Sequence, residues 1–114
     1  MHSGRILVVA PNDDLRRSVT FALAAYGYAV TAEALWSDRD LYRFDCIVLD
    51  ENALAGLAPV EPITAARLPI LLLAYSEVAL ASTLFDRVIA MPLKGEAVIQ
   101  AVSDALEAVR AGSK

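Results

Sequence analysis

Short apolar segments recur along the chain, and their β-branched residues predict strands. These segments cover residues 6–9, 29–31, 46–49, 70–73 and 88–90. Most of them show no alternation of apolar with polar residues. That pattern is typical of strands that are covered on both faces in a parallel sheet.

Apolar residues with helical spacing follow the first predicted strand and recur near the end of the chain. The two apolar stripes consist of Leu15, Val19, Ala22, Leu23 and Tyr26 in the first helix and of Val98, Val102, Ala105, Leu106 and Val109 in the last. Asn12, Asp13 and Asp14 are candidate N-caps of the first helix. Gly27 is a typical C-terminal stop for it.

The connections in the middle of the chain predict only short helices. Residues 37–43 and 76–84 each fit a short helix, whereas residues 54–67 contain two prolines and a glycine, which break or shorten any helix there. The last helix is predicted to begin near Lys94 or Gly95.

This alternation of strands and helices predicts an α/β fold with a doubly wound, five-stranded parallel sheet, because parallel neighbours need crossover connections. We expect a three-layer sandwich with shortened middle helices, formed by a single domain over residues 1–114. Functional sites in such sheets lie beyond the carboxyl ends of the strands. The residues at those ends are Ala10 and Pro11, Asp50, Ala74, and Met91 and Pro92.

Composition narrows the classes of function. The chain has 114 residues, of which 57% are hydrophobic, and a net charge of −4. An acidic domain of this kind is a poor candidate for direct nucleic-acid binding. The longest apolar run, residues 68–75, is too short to span a membrane. The single cysteine, Cys46, cannot form an internal disulfide, which fits a cytoplasmic location.

Several segments, taken in order, resemble the receiver domain of two-component response regulators. They are residues 6–9 with Asn12 and 15–19, residues 25–30, residues 45–50, residues 68–73 and residues 91–93. The resemblance implies a flavodoxin-like fold and a role in phosphorelay signal transduction. It also implies a protein partner, either a histidine kinase or an output protein, and identifies Asp50 as the candidate phospho-acceptor.

The chain departs from the receiver pattern at the positions that surround the acceptor. The family has two acidic magnesium ligands after the first strand, a hydroxyl after the fourth, and a lysine and a switch aromatic in or after the fifth. The corresponding residues here are Ala10 and Pro11, Ala74, Met91 and Val88. Pro92 is retained, and the family implies a cis peptide bond before it. We therefore expect no cofactor and little or no magnesium binding near Asp50.

Three functions follow from these residues. The first is an atypical receiver that acts by protein–protein interaction, without magnesium-dependent phosphorylation. The second is a receiver whose Asp50 is still phosphorylated by a histidine kinase. The third, a small enzyme or cofactor carrier on a flavodoxin-like sheet, ranks last. It lacks a glycine-rich phosphate loop after Val9 and any catalytic cysteine, histidine or acid pair at the strand ends.

One face of the first helix is a candidate contact surface. Phe21, Ala24 and Ala25 lie outside the apolar stripe of that helix. An aromatic residue beside small side chains suits a helix-packing interface, so this face predicts a homodimer or a partner site. The alternative is that Phe21 only covers the flank of the last helix.

Overall fold

The computed structural model describes residues 4–35, 43–56, 68–75, 87–90 and 95–111. In chain order the elements are β1 Arg5–Val9, α1 Asp13–Ala25, β2 Ala29–Glu33, β3 Cys46–Asp50, a 3-10 helix Glu51–Gly56, β4 Ile70–Ala74, β5 Arg87–Ala90 and α2 Gly95–Ala111. Every predicted strand is present and extends slightly beyond its predicted bounds. The short helices predicted over 37–43 and 76–84 fall outside the described residues, apart from Arg43.

The strands form one parallel sheet in the order β2-β1-β3-β4-β5. This confirms the predicted doubly wound, five-stranded α/β sheet. The chain runs outward from β1 to β2 and then crosses to β3 on the other side of β1, so the strand order switches between β1 and β3. Val9 pairs with Leu49 across this switch, and Asp50 pairs with Leu73 of β4. Asp50 thus lies at the edge of the sheet where ligands bind in folds of this type.

The interior explains why the central strands lack polar residues. Successive side chains of a strand point to opposite faces of the sheet. One face packs against α1 and α2 through an apolar cluster that includes Ile6, Val8, Val48 and Val98. The other face carries a second apolar cluster with Leu7, Leu49, Phe44, Ala53 and Leu72. β3 and β4 are buried along their whole length, whereas the edge strands β2 and β5 are partly exposed.

Polar and glycine residues set the ends of α1. Asn12 is the N-cap, and its side-chain oxygen accepts from the Leu15 N–H at 2.8 Å. Gly27 has a φ of +108°, so the chain leaves the helix at the predicted stop. The prediction that Tyr26 lies on the buried stripe is wrong, because this residue caps the helix C-terminus and its surface is 44% exposed. Its ring instead stacks with that of Tyr28.

The last helix begins where the sequence predicts, at Gly95. Its apolar stripe reaches the core through residues such as Val98, Val102 and Ala105. No helix in the described parts of the chain is long and apolar enough to cross a membrane.

Candidate functional site

Asp50 is the last residue of β3, and its side chain is fully buried. Among the described residues, Asp50 is the one buried residue with a charged side chain. Its Oδ1 accepts a hydrogen bond of 3.2 Å from the Asn52 N–H at the start of the 3-10 helix. Its Oδ2 is buried and has no hydrogen-bond partner among the described residues. One carboxylate oxygen is therefore bonded to the backbone, and the other has no described partner within hydrogen-bond distance.

The surroundings of Asp50 disfavour its charge. Burial raises the pKa of the Asp50 carboxyl above its ordinary value, and the neighbouring charge of Glu51 raises it further. The Asn52 N–H and the nearby Tyr75 hydroxyl stabilise the ionised form and lower that pKa again in part. Since burial is the largest of these effects, the net change in pKa is upward.

The sheet brings the other predicted site residues to the same edge as Asp50. Ala10 directly follows β1 and is fully buried, and Pro11 follows it. Ala74 ends β4 and packs into the second apolar cluster. These residues supply neither a carboxylate nor a hydroxyl. These three positions therefore offer the Asp50 carboxylate no polar side chain.

Arg16 fixes the loop between β1 and α1, a role that the sequence reasoning missed. Its guanidinium donates to the backbone oxygens of Ala10 at 2.8 Å and of Pro11 at 3.4 Å. It also forms an ion pair with Asp13. The Asp13–Arg16 spacing of three residues in a helix is the one signal in the sequence that could have revealed this pair. Asp13 is thereby engaged with a cation of its own chain.

Tyr75 and Glu51 are the other neighbours of Asp50 that the sequence analysis overlooked. The Tyr75 N–H donates to Glu51 Oε1 at 2.5 Å, which ties the end of β4 to the start of the 3-10 helix. The Tyr75 side chain is half exposed, and its pKa is raised by partial burial and by the Asp50 charge. A phenolic hydroxyl thus lies beside Asp50, one residue beyond the position where the family carries a short hydroxyl side chain.

The described residues do not fit the magnesium site that the receiver resemblance implies. Magnesium requires near-octahedral coordination by oxygen ligands. Ala10 and Pro11 carry no side-chain oxygen, and Glu51 accepts a hydrogen bond from Tyr75. No group of three or more histidine, cysteine, aspartate or glutamate side chains that could hold a metal occurs within the described ranges.

The remaining predicted positions lie on β5, on α1 or outside the described residues. Val88 is a partly buried residue of β5 that packs against the second apolar cluster. Met91 and Pro92 are outside the described residues, so the cis peptide bond stays a prediction. Phe21 is 77% exposed on α1. Such exposure argues against the alternative in which it covers the flank of the last helix.

No protein-family model matches the sequence, and no curated protein matches it either. Solved structures do match its fold. A response regulator receiver domain protein from Clostridium thermocellum aligns with a TM-score of 0.79 and 12% identity, over 94% of this chain and 97% of that one. The chemotaxis response regulator CheY4 of Vibrio cholerae aligns with a TM-score of 0.68 and 18% identity, over 91% and 99%.

A larger protein contains the same fold as one part. NtrX from Brucella abortus aligns with a TM-score of 0.76 and 21% identity, over 97% of this chain but only 28% of the NtrX chain. This chain therefore spans little more than a quarter of NtrX and nearly the whole of the two smaller structures. At these identities the likeness establishes architecture. The chain has the fold of response regulator receiver domains, as the sequence resemblance implied.

Proposed function

We propose that this chain is an atypical receiver module of two-component-type signal transduction. It acts by binding another protein, has no enzymatic activity of its own, and does not depend on magnesium-dependent phosphorylation of Asp50. The observation that carries the proposal is the burial of Asp50 beside Ala10, Pro11 and Ala74, with an Oδ2 that has no hydrogen-bond partner among the described residues. The partner is a histidine kinase or an output protein.

The chemistry of phosphoryl transfer supports this proposal. Transfer to a carboxylate depends on positioning and on neutralising the charge of the phosphoryl oxygens. The described neighbours of Asp50 provide one backbone N–H and one phenol, and the acid Glu51 adds negative charge. Burial also holds the pKa of Asp50 above its ordinary value, which favours the protonated and less nucleophilic form.

Incubation with acetyl phosphate and magnesium, followed by intact-mass spectrometry, tests the proposal. We expect the mass of the wild-type chain to remain unchanged. Asp50→Asn serves as the control, because it removes the acceptor carboxylate while nearly preserving its shape. A phosphoryl adduct on the wild type that is absent from Asp50→Asn would overturn the proposal. That result would favour the alternative in which Asp50 accepts a phosphoryl group from a histidine kinase.

The proposed contact surface is the α1 face, which consists of Phe21, Ala24 and Ala25. All three residues are exposed, and their spacing places them on one side of the helix. Phe21 is the most exposed large apolar side chain among the described residues. An exposed aromatic residue flanked by small side chains suits an interface anchor. We propose that this face forms a homodimer or binds the protein partner.

Sedimentation velocity on Phe21→Glu tests the homodimer. If the α1 face forms it, the wild type sediments as a dimer and Phe21→Glu sediments as a monomer. Leu35→Glu is the matched control, because Leu35 is 70% exposed but lies outside α1. We expect this control to behave as the wild type does. Identical sedimentation of all three proteins would contradict the homodimer.

A further inference from the structure

A cavity of about 380 Å³ opens at the amino ends of β1, β2 and β3. It lies at the opposite edge of the sheet from Asp50. Its lining consists of Arg5, Ala29, Val30, Thr31, Arg43 and Phe44. The volume falls in the range of small-molecule sites, which is about 300–1,000 Å³.

The two arginines of this cavity differ from Arg16 in their contacts. Asp45 holds Arg5 mainly through the backbone, since Asp45 Oδ2 accepts from the Arg5 N–H at 2.8 Å and the Asp45 N–H donates to the Arg5 oxygen at 2.7 Å. The distance from the Arg5 Nε to Asp45 Oδ2 is 3.9 Å, at the outer limit for an ion pair. The Arg5 side chain is 58% exposed, so a ligand can reach it from solvent.

Arg43 adds a second positive charge to the same cavity. It is exposed, and the described part of the chain shows no ion pair to it. Among the described residues of the lining, the charged ones are both arginines, although the whole chain carries a net charge of −4. Guanidinium groups bind oxyanions through paired N–H donors, and phosphate and carboxylate groups are their usual partners.

The rest of the lining suits an organic body attached to such an anion. Phe44 is almost fully buried and belongs to the second apolar cluster, so it adds an apolar residue to the lining. Ala29 and Val30 add apolar surface, and Thr31 adds a hydroxyl. A phosphate group alone would leave much of this volume unfilled. We propose that the cavity binds a small organic phosphomonoester, whose dianionic phosphate lies between Arg5 and Arg43 and whose apolar part contacts Phe44.

This site does not depend on the function proposed for Asp50, which lies at the other edge of the sheet. Titration with phenyl phosphate, followed by amide chemical shifts in NMR, tests it directly. We expect saturable shifts at Ala29, Thr31 and Phe44, with affinity that falls as salt is added. Arg43→Gln should weaken binding about tenfold or more, the usual effect of losing a hydrogen bond to a charged group.

Two comparisons make the test decisive. Arg17→Gln is the matched control, because its loss changes the net charge by the same amount. Arg17 is exposed on α1, and α1 packs on the opposite face of the sheet from Phe44. It should bind phenyl phosphate as the wild type does. Benzoate, a monoanion with the same ring, should bind at least about tenfold more weakly than phenyl phosphate. Absence of saturable shifts, equal losses in Arg43→Gln and Arg17→Gln, or equal affinity for benzoate would each overturn the proposal.

Discussion

Two aspartates flank β3, and their surroundings are opposite. Asp45 precedes the strand, is exposed, and accepts the Arg5 N–H at 2.8 Å. Asp50 ends the strand, is fully buried, and keeps an Oδ2 without a partner among the described residues. At the amino end of β3, Asp45 therefore lies beside Arg5 and is open to solvent. At the carboxyl end of β3, Asp50 is buried and lies next to a second acid, Glu51.

This difference shows that the fold and the chemistry of the site are specified separately. The sheet delivers Asp50 to the carboxyl end of β3, where the receiver resemblance implies the acceptor. The residues at the ends of the neighbouring strands are Ala10, Pro11 and Ala74, which carry no side-chain oxygen. Two arginines, Arg5 and Arg43, line the cavity at the opposite ends of the strands.

The largest change in stability is expected from an acid added beside Asp50, at the carboxyl end of β1. Ala10→Asp places a carboxylate in a fully buried position level with Asp50, and we expect it to lower the free energy of unfolding by about 3 kcal/mol or more. Ala97→Asp, at an exposed position in the first turn of α2, should change stability by no more than about 0.5 kcal/mol. Urea denaturation measures both. A free energy of unfolding for Ala10→Asp equal to that of the wild type would contradict the account, because it would mean that a charge is tolerated at this buried position.

Removal of the buried charge should stabilise the fold. Asp50→Asn is expected to raise the free energy of unfolding at neutral pH by about 1–2 kcal/mol, because it removes a buried charge while keeping an oxygen that can accept from the Asn52 N–H. The folded-state pKa of Asp50 is raised, so the penalty on its charge is fully present above that pKa. As the pH falls through that pKa, Asp50 is protonated, the penalty disappears, and the wild type regains the corresponding stability.

The stability difference between Asp50→Asn and the wild type should therefore shrink between neutral pH and about pH 4, near the ordinary pKa of aspartate. Denaturation curves at both pH values measure this change. A destabilised Asp50→Asn at neutral pH would show that the buried charge is satisfied after all.

At the amino end of β3, removal of the acid should instead lower the free energy of unfolding. Asp45→Ala removes the acceptor of the Arg5 N–H, and we expect a loss of about 1 kcal/mol. Asp45→Asn retains a side-chain oxygen and should lose less than half of that amount, because an exposed ion pair at 3.9 Å contributes little. Thermal unfolding of the two variants checks this. Equal losses would mean that the charge of Asp45, and not its hydrogen bond, stabilises the edge.

The smallest effect concerns the Tyr75 hydroxyl. Tyr75→Phe removes a group that stabilises ionised Asp50, so we expect the pKa of the Asp50 carboxyl to rise further. The change in stability should stay below about 0.5 kcal/mol, because the Tyr75 side chain is half exposed. Carbon-13 NMR of the Asp50 carboxyl as a function of pH measures the shift. An unchanged or lowered pKa would show that the hydroxyl does not act on Asp50.

The sequence predicted the sheet well because its signal is local and strong. Unbroken apolar runs such as residues 46–49 and 70–73 fit buried parallel strands and little else, and Gly27 ends α1 through its positive φ. Parallel strands have their carboxyl ends on the same side of a sheet. The sequence alone therefore placed four residues together there: Ala10, Pro11, Asp50 and Ala74. Tyr26 was misplaced because helical spacing does not reveal which residue becomes the cap.

The polar contacts of the site could not be predicted in the same way. Arg16 reaches back to the Ala10 oxygen, and Glu51 accepts from a Tyr75 N–H that is distant in sequence. Both contacts depend on side-chain direction, which apolar periodicity does not encode. The burial of both Asp50 oxygens also depends on packing between segments, so the sequence indicated the acid but not its missing partner.

The central claim is that Asp50 is not a magnesium-dependent phosphoryl site, and the most direct test is an amide NMR titration with beryllofluoride and magnesium. This reagent mimics a phosphoryl group on a carboxylate. We predict no saturable shifts at Ala74 of β4 or Ile89 of β5 beyond those caused by fluoride and magnesium alone. Saturable shifts at these amides that disappear in Asp50→Asn would contradict the account.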